Sequence, residues 1–287
     1  MKKFVITALL ATIGSSAFAD GFAGRVVSYS AGTTPAPRDY WQDVSPWGKM
    51  ETVALTDPSV ALGKPTGFVT EPHHTLSDGS IVSPFNPAAN EDQIVSIGEG
   101  GSLTLELENY ATVGAGVEIG LFANIGVYTY AGTSGTLGVD DVTVEFSANG
   151  TDWSAPQTIT PDIPTDVWVD ATNPYLGSPD GLTEADFSKP FTGVNADLVG
   201  KTYEEIKTAF DGSAGGYWLD LSGTGLSEVG YIRFTVPDDG IVNDFPLNFE
   251  LDAVSIAAGH VGAPLPEPCT LSLLALAGVS LLRRRKK

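Results

Sequence analysis

Five acidic side chains in the last fifth of the chain lie close enough in sequence to bind a metal ion. Asp238 and Asp239 precede Gly240, Asn243-Asp244 follows, and Glu250 and Asp252 complete a run of fifteen residues. Calcium takes six to eight oxygen ligands, and acidic turns supply carboxylate and carbonyl oxygens with little strain. Glu250 and Asp252 are two apart in a segment that alternates as a strand, so they share one of its faces. The pattern predicts a structural calcium held by Asp252 with Glu250 or the 238–244 loop. The plainer alternative is a set of solvated loop acids. The run is not an EF-hand, because no Asp-x-Asp-x-Asp-Gly loop closes on a Glu at its twelfth position.

Other chemistry finds less support. His73-His74 and His260 are the only histidines, and two neighbours on a proline-flanked loop with one distant partner make a poor transition-metal set. There is no Gly-x-Ser-x-Gly elbow, His-Glu-x-x-His helix or phosphate loop. A glycosidase needs only two carboxylates about 5–10 Å apart, so a polysaccharide hydrolase or lyase stays the second reading. Compact pairs such as Glu204-Glu205 and Asp140-Asp141 read as surface charge. Trp41, Trp47, Trp168 and Tyr175 sit in loop-like contexts where a ring could face a sugar. Trp153 and Trp218 sit in strand-like contexts and read as core. Asn149-Gly150-Thr151 fits a glycosylation sequon and also a hairpin turn.

The elements that must position these residues lie between two unusual ends. Lys2 and Lys3, the uncharged run Phe4–Ile13 and the small-x-small triplet Ala17-Phe18-Ala19 have the three-part layout of a secretory signal peptide. This predicts cleavage by signal peptidase after Ala19, leaving Asp20 first. At the other end Pro266-Glu267-Pro268-Cys269-Thr270 precedes the uncharged segment Leu271–Leu282 and five closing bases, Arg283 to Lys287. Twelve residues make a helix of about 18 Å, short against a hydrocarbon core of about 30 Å, and the bases would stay cytoplasmic. Such a segment suits transient inner-membrane anchoring.

Composition narrows the function of what lies between. Without the two leader lysines, the five closing bases and Glu267, eight bases face 34 acids, a net charge of −26 over residues 20–264. That excludes a nucleic-acid-binding face and fits an extracellular protein kept soluble by self-repulsion. Cys269 is the sole cysteine, so the body forms no internal disulfide and must rest on a hydrophobic core.

Along the body, residues 20–90 are turn-rich and broken by eight prolines. Strand-like segments fill 91–260. Leu103–Leu107, Val142–Phe146, Tyr217–Leu221, Tyr231–Val236 and Phe249–Ile256 alternate apolar and polar residues at period two. Val117–Tyr130 is more apolar throughout and reads as a central strand with a turn. Residues 160–195 read as an insertion. Leu198–Phe210 is the one predicted helix, with Tyr203, Ile206 and Phe210 on one face. The order argues for an all-β, antiparallel β-sandwich with one short helix, flanked by the leader 1–19 and the tail 265–287.

Two resemblances add to this. The Pro-Glu-Pro triplet, short apolar helix and terminal arginine cluster resemble the PEP-CTERM sorting domain of Gram-negative bacteria that make exopolysaccharide. The resemblance implies transpeptidation at the triplet by a membrane exosortase and delivery to the cell surface or extracellular matrix. The body is similar to those of other PEP-CTERM surface proteins in a series of short phrases: Ala61-Leu62-Gly63, Val95–Gly98, Gly100–Leu105, Val144–Trp153, Tyr231–Arg233 and Leu251–Val254. This implies a jelly-roll fold akin to discoidin and carbohydrate-binding modules. It also implies a non-catalytic, adhesive or polysaccharide-binding role, with exopolysaccharide as a partner. In such modules the position matching Asp252 often holds a structural calcium. The stretch Val117–Tyr130 lacks the acidic Asp-Phe strand of the pattern.

Overall fold

The computed structural model describes residues 21–33, 37–42, 49–69, 80–175, 180–238 and 247–266. Among the described residues the chain forms sixteen strands and one α-helix. The strands are β1 Ala23–Ser30, β2 Pro37–Gln42, β3 Lys49–Ala54, β4 Phe68–Val69, β5 Ser80–Ile81, β6 Val95–Gly98, β7 Ser102–Thr112 and β8 Ile119–Ala123. They continue with β9 Gly126–Tyr130, β10 Thr133–Leu137, β11 Val142–Ser147, β12 Gln157–Ile159, β13 Tyr217–Leu219, β14 Glu228–Thr235, β15 Asn248–Ile256 and β16 Val261–Pro264. The helix α1 is Tyr203–Phe210. All the strand pairings are antiparallel.

Two sheets carry the fold. One runs β1-β7-β14-β11-β12, with β16 also on β7, and the other runs β13-β8-β15-β6. From β6 to β8 and again from β13 to β16, each successive strand crosses to the opposite sheet. Leu103, Leu105, Val144, Phe146, Ile232 and Phe234 of the first sheet share one buried cluster with Ile97, Ile119, Leu121, Leu251, Val254 and Ile256 of the second. This is sheet-on-sheet packing, an all-β sandwich arrangement.

The two sheets differ in how their strands read, and the covering of their outer faces explains why. In the first sheet β11 and β14 alternate buried and half-buried positions, because one face is open to water. In the second sheet every residue of β6 and β8 is buried. A second apolar cluster covers its outer face. It combines Phe22, Leu55, Ile81, Val82 and Ile94 from the N-terminal third with Val167, Trp168, Phe187, Tyr203 and Ala214 from residues 165–214. Phe22 and residues 55–69 and 80–94 of the proline-rich first third therefore join much of the stretch read as an insertion in a third layer over the sandwich, while β1 belongs to the first sheet. That layer extends beyond residue 195, through α1, to the glycine turn before β13.

The helix starts later than its apolar pattern suggests. Asn195–Asp197 is a 3₁₀ turn, and Thr202 caps α1 in a capping box with Glu205. Tyr203, Ile206 and Phe210 are its buried residues, as the period of 3.6 requires. The strand beginning at Tyr217 ends at Leu219, because Asp220 caps the following turn through the Ser222 amide (2.8 Å).

Candidate ligand-binding site

Edge strand β13 places two aromatic side chains beside a cleft of about 350 Å³. Gly215 and Gly216 precede it with φ of 75° and 76°. A side chain at Gly216 would put a Cβ 2.8 Å from the Phe122 ring, so only glycine lets the chain enter the strand here. Trp218 pairs with Gly120 of β8, and a Cβ at Gly120 would lie 2.8 Å from the indole. The ring thus lies across the glycine, held by its Nε1 donating to the Gly215 carbonyl (2.8 Å).

The opposite wall comes from two loops. Asp162 and Ile163 stand on one, and Phe191, Thr192, Gly193, Val194 and Asn195 on the other. The Asn195 amide joins them by donating to the Asp162 carbonyl and to Thr136 Oγ1 (2.9 Å). Phe191 rests edge-on against Phe210 of α1, with centroids 5.0 Å apart. Partial burial raises the pKa of the Asp162 carboxyl. Burial, and secondarily the Asp162 charge, raise that of the Tyr217 phenol. The cleft therefore offers one carboxylate acceptor, a phenol that stays protonated, and half-buried aromatic surface. Such a lining, apolar with a few converging polar groups, suits a small polar ligand. Sequence reasoning missed it, because Asp162 and Asn195 lie in stretches without periodicity. Another depression, of about 360 Å³, lies beside Phe22, Phe187 and the Lys64–Glu184 ion pair (2.5 Å).

The acidic residues singled out for calcium take different positions. Asp252 is 2% exposed and is the extra residue at a bulge in β15, where the register to β8 shifts between Leu251 and Ala253. Both its carboxylate oxygens lack a hydrogen-bond partner. Burial raises its pKa well above the carboxylate range. The Thr66 backbone amide offsets this in part without a hydrogen bond of ordinary geometry. The carboxylate of Glu250 instead accepts from the Asn124 side-chain amide. Asp238 is exposed, next to the Gly100 turn. Asp239 and Asp244 lie outside the described residues. Among the described residues no three His, Cys, Asp or Glu side chains come together as a metal set. Among the predicted ligands that are described, Asp252 is the one whose buried carboxylate oxygens lack a hydrogen-bond partner.

The segments Val144–Trp153 and Tyr231–Arg233 interlock in the first sheet. Arg233 bonds Glu145 across β14 and β11 (Nε to Oε2, 2.8 Å) and lies over the Trp153 ring at 4.3 Å. Ser147 Oγ accepts from the Gly150 amide (2.9 Å), and Asn149 Oδ1 from those of Thr151 and Asp152 (both 2.9 Å). Gly150, at φ 74°, leaves room for the Tyr231 ring. Asn149-Gly150-Thr151 is thus a turn whose asparagine is engaged. Trp153 is half-buried beneath an arginine rather than in the core. Trp168, read as a loop residue open to a sugar, is instead buried. It donates to the Gly67 carbonyl (3.0 Å) and packs on Phe68. Trp41 lies in strand β2, not in a loop, and Trp47 lies outside the described residues. Tyr175 is 44% exposed.

A second buried acid lies in the covering layer. Asp166 Oδ1 accepts from Tyr203 Oη (3.1 Å) and the Trp168 amide (3.3 Å), and burial pushes its pKa up to about 7. A carboxyl whose folded pKa exceeds the unfolded value near 3.9 leaves stability intact below pH 4. Stability is then lost as pH rises to about 7, where the folded state also ionises. Asp166→Asn is expected to remove this loss. The variant should match wild type near pH 4 and exceed it above pH 7 by on the order of 2–4 kcal/mol. Denaturant unfolding across that range measures the difference. A constant offset between the two proteins would refute the assignment.

Comparison with known proteins leaves the family open: no protein-family model matches the chain, and no curated protein matches it in sequence. Among the described residues no helix is long and apolar enough to cross a membrane. The leader residues Ala17, Ala19 and Asp20, and the tail from Glu267 through Pro268, Cys269 and Thr270 onward, lie outside the described residues. Pro266 ends the described chain.

Proposed function

We propose that this is an exported envelope or matrix protein, sorted by a PEP-CTERM tail, whose jelly-roll-like body binds polysaccharide without cleaving it. The observation that carries the binding half is the cleft between β13 and the 191–195 loop. Its aromatic rings offer stacking surface, and Asp162, Asn195 and Tyr217 are groups of the kind that hydrogen-bond sugar hydroxyls. Asp162 is the one carboxylate in its lining among the described residues, whereas a glycosidase places two about 5–10 Å apart. The alternation of successive strands between sheets supports the jelly-roll wiring. The sorting half rests on the order of triplet, apolar segment and arginines at the tail.

Calcium belongs to this proposal as a structural ion at Asp252. The fit rests on the orphaned carboxylate. The ion would supply the positive charge that burial denies it. Its remaining oxygens would have to come largely from backbone carbonyls, since Asp252 belongs to no set of three His, Cys, Asp or Glu side chains among the described residues.

Two measurements test the function. On a glycan array the full chain should bind a subset of polysaccharides, and Asp162→Ala should weaken that binding about tenfold, the worth of one hydrogen bond to a charged group. Unchanged binding would remove the cleft from the proposal. Mass spectrometry of protein recovered from its producing cells should find a first residue of Asp20 and no arginine tail. Recovery of protein ending at Lys287 would defeat the sorting half.

A further inference from the structure

Strands β9 and β10 form a hairpin belonging to neither main sheet, and its two faces differ sharply. Paired residues of an antiparallel ladder share a face. Val127, Thr129, Ser134 and Thr136 therefore point one way. Val127 enters a cluster with Ile163, Leu198, Ile206 and Phe210, and Thr136 bonds Asn195 (3.1 Å). This face is fastened to the helix layer.

The other face is covered by Pro87 at Gly126 and open beyond it. It carries Tyr130, Tyr128 and Leu137, which are 80%, 38% and 44% exposed. Their cross-strand neighbours are Thr133, Gly135 and Gly126. A Cβ at Gly135 would lie 2.6 Å from Tyr128 Oη and 2.8 Å from its ring, so the ring lies down across the opposite strand. At Gly126 a Cβ would meet Pro87 and Leu137 at 3.1 and 3.2 Å. Two absent side chains thus make the face flat. Exposed apolar surface in contiguous patches is uncommon without a binding role.

We infer that this Tyr128–Tyr130 face is a second glycan contact, a flat platform for the apolar faces of uncharged sugar rings. Strand geometry spaces the two tyrosine positions on the order of 7 Å apart, so both rings meet one short stretch of a single chain. The tyrosine hydroxyls and Thr133 supply donors and acceptors at its rim. Charge decides the class of sugar. The hairpin itself carries no lysine or arginine, Asp140 and Asp141 follow it, and Lys201 stands next to the Gly200 that abuts Ser134 on the fastened face. In a body of net charge −26 such a face repels uronic-acid or sulfated polymers and accepts neutral ones. The inference rests on the polysaccharide-binding reading of the body but concerns a different surface from the cleft.

The test is affinity electrophoresis of the full chain in gels containing xylan, galactomannan or soluble cellulose derivatives without charge, with alginate as the anionic control. Wild type should be retarded by at least one neutral polymer and not by alginate. Tyr130→Ala should reduce that retardation about tenfold while leaving the melting temperature unchanged, since the ring is 80% exposed. Tyr130→Phe should keep most of it. If Asp162→Ala abolishes retardation and Tyr130→Ala leaves it intact, the platform falls and the cleft stands. Retardation by alginate alone overturns the uncharged class but not polysaccharide binding. Absence of retardation by every polymer overturns both. Conversion of a wild-type dimer to a monomer by Tyr130→Ala, with retardation unaltered, would reassign the face to self-association and overturn the platform.

Discussion

Saturating calcium is expected to raise the melting temperature of the wild-type chain, and Asp252→Asn is expected to erase the rise. The carboxylate sits at the β15 bulge with 2% exposure and two unpartnered oxygens. A buried carboxylate in that state is relieved either by a proton or by a cation. An ion that binds only the native state stabilises by RT ln(1 + [Ca]/Kd), about 2.7 kcal/mol at a hundredfold excess. For a body of this size that is roughly 5–10 °C. In chelator the order should invert. The asparagine variant should then match or exceed wild type near pH 7, because it removes a buried group whose pKa burial raises. In chelator, wild-type stability should decline as pH rises above the ordinary carboxylate range, the sign for a raised folded pKa. Thermal unfolding of both proteins with calcium and with chelator checks the crossing. A wild-type melting point indifferent to calcium removes the ion. A response that survives Asp252→Asn moves it elsewhere.

Phe122→Ala is expected to be the most damaging single truncation at the seam between sandwich and covering layer, costing about 3–5 kcal/mol. The side chain is fully buried on the outer face of β8, paired with Ala253 of β15. Phe187 and Trp218 meet it edge-on at centroid distances of 5.4 and 6.4 Å, and the Gly216 backbone passes directly over it. Its loss opens a cavity that the small residues around it, Ala253 and Gly216, cannot fill. The cleft should suffer with the fold, because β13 is held to β8 at this point. Denaturant unfolding measures the cost, and limited proteolysis within 180–216 should accelerate more than elsewhere. A loss below about 1 kcal/mol would show that the layer does not lean on this ring.

Sequence pattern alone marks the three central strands of the first sheet, β7, β14 and β11. A sheet open to water on one face must alternate, and Val142-Thr143-Val144-Glu145-Phe146 does so without ambiguity. It also determined the buried face of α1, because Tyr203, Ile206 and Phe210 repeat at the helical period. The second sheet was less legible. Ile119–Ala123 is apolar on both faces, since the covering layer buries the face that would otherwise be polar, and nothing local announces that layer. Residues 55–69, 80–94 and parts of 165–214 form it through contacts of high sequence separation, such as Trp168 with Gly67, and Phe187 ties it to Ser255 of β15. The carboxylates divide in the same way. Sequence marked Asp252 and Glu250 as equals on one strand face. Tertiary structure separated them by giving Glu250 the Asn124 amide and leaving Asp252 buried without a partner. The cleft and the tyrosine platform were beyond the sequence altogether. Asp162 and Tyr217 are 55 residues apart in number. Whether Tyr128 and Tyr130 face water depends on which side of a hairpin the helix layer happens to cover, and packing alone decides that.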